Sequence, residues 1–206
     1  MRSSIAPTPK GITLLAFSLL ELIGTLAIIL ILMACVTPMV GSALKASQLT
    51  HAGQLVFDQL AYARQRTLSR NHSVEVRFYQ STANNITRFG ALQLFDITDN
   101  GTALPLTKVL ELPNSVLIDE NPTLSSLLKT SQAITPPVLI PQLGSNYACR
   151  AFRFLPDGST NLSPATDLWF VTLHATDQGD KLTNPPKNFF NLQIDPSNGQ
   201  LRTFRP

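Results

Sequence analysis

One stretch limits what the rest of the chain can be: from Phe17 to Val40 the sequence is apolar apart from a single carboxylate, Glu21. A helix over these residues would rise about 36 Å, enough to cross a hydrocarbon core of roughly 30 Å with modest tilt. The expectation is a transmembrane helix over 17–40, following a short polar leader, 1–16. An ionised carboxylate in lipid is costly and is normally kept with a partner. None stands in the stretch itself. Two readings are open: Glu21 lies near enough to the interface to reach water, or it docks on the α-ammonium that a cut before Phe17 would create on a neighbouring copy.

The remaining length suits one head domain, since 206 residues with 44% hydrophobic content fit a single domain plus a membrane element. The formal charge of +3 invites nucleic acid, but Arg2 and Lys10 lie in the leader, and without them 14 basic residues stand against 13 acidic. A general footprint for polyanions is therefore weak. Cys35 lies in the apolar stretch and Cys149 in the head, too far apart for an intrachain disulfide, so both are read as thiols. Leu32-Met-Ala-Cys35 is similar to a lipobox, which opens an alternative of a lipoprotein or a secreted chain cleaved near Cys35. The apolar run from Gly11 to Ala34 is, however, longer than a signal-peptide core and is interrupted by Glu21.

Beyond Pro38 and Gly41 the helix is expected to resume over 41–72 as an amphipathic continuation, because proline kinks a helix without always ending it. Leu49, Ala52, Val56, Leu60, Ala63 and Thr67 recur at spacings of three and four and form one stripe, with Gln48, His51, Gln59, Gln65 and Arg66 off it. Arg64, Arg66 and Arg70 gather in the last turns, where the helix dipole favours cations. After Asn71 the period changes to two. Val74, Val76 and Phe78 are expected to face the stripe, with Glu75, Arg77 and Tyr79 outside. Further strands are expected at 91–97, 106–112, 116–118, 149–155, 168–174, 189–194 and 201–204. Turn signals separate them, among them Asp99-Asn-Gly101, Pro156-Asp-Gly158 and Pro196-Ser-Asn-Gly199. A helical turn is expected near Leu124 to Leu128 and an irregular connection from Thr130 to Asn146. The predicted fold class is α+β: a long N-terminal helix packed on a mostly antiparallel head over 73–206.

The residues around Glu21 carry a resemblance. Lys10-Gly11 in the leader and Ala16-Phe-Ser-Leu-Leu-Glu21 resemble the processing site of type IV prepilins and type II secretion pseudopilins. In that family a prepilin peptidase cuts before the Phe and N-methylates it, and the Glu at the fifth mature position directs assembly. The resemblance implies processing at Ala16 and Phe17, assembly through Glu21, and other pilin-like subunits as partners. It places the chain in a bacterial inner membrane or periplasmic pseudopilus. Ala16 stands where the family usually has Gly, and Pro38 falls at the twenty-second mature residue, where pilin helices often carry proline. The segment from Asp58 to Val76 is similar to the helix-to-strand junction of the minor pseudopilin H and FimT-like group. With Phe152-Arg-Phe-Leu-Pro-Asp-Gly158 and the terminal run from Ile194 to Pro206, the chain also resembles the pilin-like group called Verru_Chthon cassette protein D.

His51, His72 and His174 are scattered, and no HExxH, CxxC or glycine-rich phosphate loop is present, so neither an enzyme nor a cofactor is expected. Asp177 and Asp180 could offer oxygens to calcium, but without the spacing of a known loop a solvated turn is the preferred reading. Gly199-Gln-Leu-Arg202 is similar to the glycine-arginine motif of FimT-like DNA-uptake pilins, with Gln200 where the first arginine would stand. The alternative function is thus a DNA-binding minor pilin, using Arg202, Arg205, Arg150 and Arg153 as candidates. Nucleic acid is not favoured as a partner, because phosphate neutralisation needs a cationic surface.

Overall fold

The computed structural model describes residues 18–83, 86–130, 132–134, 147–164, 169–179 and 181–206, without the side chains of 35–40, 42, 81–83, 86, 130 and 132–134. The chain falls into two units, Met1–Ser42 and Ala43–Pro206. Helix α1, Leu19–Arg70, contributes residues to each.

In the first unit every described side chain from Ser18 to Ala34 is exposed. Among the described residues no helix is long and apolar enough to cross a membrane. The described apolar run, Leu19 to Ala34, would rise only about 24 Å against a core of roughly 30 Å.

In the second unit the six stripe residues, Leu49, Ala52, Val56, Leu60, Ala63 and Thr67, are all fully buried. The off-stripe positions are exposed or half-buried. The stripe packs into the main core with residues such as Val74, Val76, Phe78, Leu94, Phe152 and Leu192 from the sheet. Asn71 ends the helix in the left-handed region at φ 57°, its N–H donating to the Thr67 carbonyl at 3.0 Å. Asparagine tolerates that conformation better than most residues, so the chain turns there into the first strand.

The strands are β1 Val74–Ala83, β2 Ile86–Ile97, β3 Ala103–Pro105, β4 Leu110–Glu111, β5 Val116–Ile118, β6 Gln132–Ile134, β7 Cys149–Phe154, β8 Trp169–Ala175, β9 Phe189–Ile194 and β10 Leu201–Phe204. A short helix α2, Ser126–Thr130, lies between β5 and β6, and a 3-10 turn, Thr176–Gln178, follows β8. They form one antiparallel sheet in the order β10-β9-β8-β5-β2-β1-β7-β6, with β3 and β4 on β2. The expected α+β architecture, a long helix packed on an antiparallel sheet, is the one observed. The expected strand 106–112 shrinks to β4, and β3 and β6 are additional. Most of the expected irregular connection after Thr130 lies outside the described residues.

The placement of Glu75, Arg77 and Tyr79 on the solvent side is corrected: all three are buried. They do lie on the face of β1 away from the helix, but that face is covered. Tyr79, Ala91, Phe95 and Cys149 form a second small core there, closed by Ala103, Val109 and Tyr147. β1 is flanked by β2 and β7 and so has no open edge. Its charges are held in place by each other: Glu75 Oε1 accepts from Arg77 Nε at 2.6 Å and Oε2 from Arg153 Nε at 2.7 Å. Arg77 also stacks over the Phe95 ring at 3.9 Å, which places a cation on the negative face of the ring.

Two turns close the sheet around the end of α1. Gly199 has φ +64°, and a Cβ there would meet the Gly158 carbonyl and the Phe154 ring. The two glycine turns thus touch backbone to backbone, while Arg64 Nε donates to the Asn198 carbonyl at 3.1 Å. Arg66 Nη2 pairs with Asp96 at 3.0 Å. Two of the three arginines expected to serve the helix dipole therefore have specific partners across the head.

Candidate functional site

Glu21 stands in the first turn of α1. Ser18 opens the helix: its Oγ accepts from the Glu21 N–H at 3.2 Å and its carbonyl from the Leu22 N–H at 3.1 Å. Ser18-Leu-Leu-Glu21 is thus a capping sequence, in which serine satisfies an otherwise unpaired amide and a carboxylate sits at the positive end of the helix dipole. Such a placement is worth about 0.3–1 kcal/mol and gives Glu21 a local part in starting the helix. The Ser-x-x-Glu spacing is legible in the sequence, and reading Glu21 only as a charge in lipid passes it over. The carboxylate itself is exposed and has no partner among the described residues. Ala16 and Phe17, the expected processing and methylation residues, lie outside the described residues.

The four candidate arginines are not gathered. Arg150 and Arg153 are on β7 and Arg202 is on β10, with β9, β8, β5, β2 and β1 between them in the sheet order. Arg153 is committed to Glu75. Arg205 Nη2 reaches back to the Ala46 carbonyl at 3.0 Å and to Asn188 Oδ1 at 3.4 Å, so it ties the C-terminus to α1. Arg202 is exposed, opposite Gln193 on β9. Arg150 is half-buried and engaged by interactions of its own.

The other polar centres of the head are structural in geometry. His174 Nε2 lies 2.9 Å from Asp119 Oδ2, and its Nδ1 lies 3.0 Å from the Ala175 carbonyl. Asp119 also accepts the amides of Asn121 at 2.6 Å and Leu182 at 3.0 Å. Both side chains are fully buried, and the pair fastens the segments around Asn121 and Leu182. Cys149 is a buried free thiol, pushed up to about 12 chiefly by burial. The Cys35 side chain lies outside the described residues. Asp177, considered for calcium, is instead paired with Lys45 at 2.6 Å, and Asp180 lies outside the described residues. No cluster of three metal-ligating side chains occurs among the described residues. A groove of about 370 Å³ runs between α1 and β10, lined by Phe57, Ala61, Arg64, Gln65, Leu68, Gln200 and Leu201.

No family model and no curated protein sequence matches the chain. Among solved structures the chain is similar to the minor pseudopilin EpsH from the type 2 secretion system of Vibrio cholerae, at 12% identity and a TM-score of 0.45, over 77% of this chain and 98% of that one. It is also similar to the type IV minor pilin FimU of Pseudomonas aeruginosa PAO1, at 14% identity and a TM-score of 0.44, over 78% of this chain and 93% of that one. A second crystal form of FimU gives 15% identity and a TM-score of 0.43, over 77% and 97%.

Proposed function

We propose that the chain is a pilin-like structural subunit of an envelope secretion or pilus-type assembly, cut by a prepilin peptidase before Phe17 and docked through Glu21. The observation that carries this reading is the first unit. Leu19, Leu20, Leu22, Ile28 and Leu32 point to all sides of one helix, every one of them exposed, with a single carboxylate in the first turn. A helix that is apolar all round is built for burial all round, in lipid or among other helices. Over 17–40 it serves first as a membrane span and then as the lateral packing surface of the assembled subunit. Arg2 and Lys10 precede the span, so the amino end stays in the cytoplasm and the head lies across the inner membrane. The resemblance to Verru_Chthon cassette protein D is part of this proposal and names the group in which such a subunit would fall.

The DNA-receptor alternative is not carried further, because Arg153 and Arg205 hold structural partners and Arg202 is left without a neighbouring cluster. Intact-mass measurement on protein extracted from membranes tests the processing. A mature chain beginning at N-methylated Phe17 is expected. An acylated start at Cys35, or an uncut chain in cells that contain an active prepilin peptidase, overturns the reading.

A further inference from the structure

At the end of the head where α1 enters, positive charge and exposed apolar side chains occur together. Among the described residues Arg205 binds only neutral acceptors, the Ala46 carbonyl and Asn188 Oδ1. Lys187, next to Asn188, is exposed. Arg88 is only 4% exposed, yet among the described residues its side chain bonds only Asn114 Oδ1, at 3.3 Å, and its Nε finds no partner. It belongs to the same end, because the adjoining Ser115 donates to Gln48 of α1 at 2.6 Å. The acids described there are already held, Asp177 by Lys45 at 2.6 Å and Glu120 by Lys181 at 3.4 Å. With Arg88 set against the exposed Glu111 of β4, Lys187 and Arg205 leave positive charge in excess. Beside them Leu44 is 58% and Phe204 60% exposed, the latter against Phe189 with ring centroids 5.9 Å apart.

We infer that this end of the head rests on anionic phospholipid headgroups, with Phe204 and Leu44 entering the interface and Lys187 and Arg205 facing lipid phosphates. The inference rests on the proposed span over 17–40. Four residues from Val40 to Leu44 reach at most about 14 Å even when extended, so Leu44 cannot leave the neighbourhood of the bilayer surface. Cations flanking exposed apolar side chains are the chemistry that suits an anionic interface.

The test uses the full chain in lipid nanodiscs, with Phe204→Trp as probe and a headgroup-nitroxide lipid as quencher. The parent protein supplies the baseline of buried Trp169. Leu104→Trp, on β3 beside Asp96, is the control at the other end of the head. In discs containing phosphatidylglycerol the signal from position 204 is expected to fall by about twofold, and to recover with Lys187→Glu or with salt well above 0.15 M, where screening is short-ranged. Position 104 should not respond. Equal quenching at 204 and 104, or equal quenching in discs of phosphatidylcholine alone, overturns the inference. So does a chain that enters the discs yet shows no quenching at 204. A chain that stays out of the discs instead defeats the membrane-span reading beneath it, and the two failures are told apart by co-purification with the disc.

Discussion

Glu75 is 2% exposed at its side chain and holds two guanidinium groups whose own surroundings differ: Arg77 is 9% exposed and Arg153 39%. Removing one member of a buried pair leaves the other charge uncompensated, at a cost of about 3–5 kcal/mol, whereas a half-exposed arginine is screened by water. Glu75→Gln is therefore expected to lose about 3 kcal/mol in urea denaturation, and Arg153→Ala less than about 1 kcal/mol. Equal losses would show that Arg77 is not the group that needs the carboxylate. Cys149 supplies a pH dependence. Its thiol is raised from 9.0 to about 12, so between those values the unfolded chain releases a proton that the folded chain retains. Its contribution is fully present below pH 9 and is lost as pH rises toward 12. In native protein at pH 8, Cys149 should resist alkylation until the head unfolds, as read by peptide mapping, and Cys149→Ala should flatten the alkaline part of the stability profile. At this scale the sequence is legible where the partner is close along the chain, as with the Ser18 hydroxyl and the Glu21 amide. It is not legible where the partner is remote: nothing local to Glu75 points to Arg153, and nothing local to Arg205 points to Ala46.

Among the elements, the helix stripe was the most readable, because a period of 3.6 is a local property and all six of its residues prove to be buried. The glycine turns were readable for a similar reason, since Gly101, Gly158, Gly179 and Gly199 all take positive φ. The period-two rule failed on β1 in one respect. It assigns the faces correctly, but whether the second face meets water depends on chain segments far away that cover it. Gly53 shows what a local rule alone would miss. In a helix interior Gly→Ala ordinarily gains about 0.8–1 kcal/mol from propensity. Here a Cβ would overlap the Phe190 ring of β9, and overpacking a core costs typically about 1–3 kcal/mol. Gly53→Ala is therefore expected to lower stability by about 1 kcal/mol and the thermal midpoint by a few degrees. An increase would mean that Phe190 moves aside freely.

At the scale of the whole molecule, the strand order β10-β9-β8-β5-β2-β1-β7-β6 lies beyond a reading of local pattern, because it is set by pairings between distant segments. The folded chain divides into two units between Ser42 and Ala43. That division makes a prediction about Glu21. The residue lies in the first unit, while the core that sets the stability of the head is built from residues of the second, Leu49 to Ile194. Glu21→Ala should therefore leave the thermal midpoint of the head unchanged. It retains Ser18 as the cap, so the helix start should lose no more than about 1 kcal/mol, the upper end of the dipole contribution. If the carboxylate serves only the cap, Glu21→Gln and Glu21→Ala should both recover with the parent's efficiency when envelope complexes are purified through a partner subunit. If it docks on the ammonium of a neighbouring Phe17, both should be lost from those complexes, because glutamine retains the shape but not the charge that such a pair requires. Glu21→Asp, with the charge kept on a shorter arm, should recover part of the yield. Parent-like incorporation of Glu21→Gln would remove the docking role and leave Glu21 as a helix-start residue.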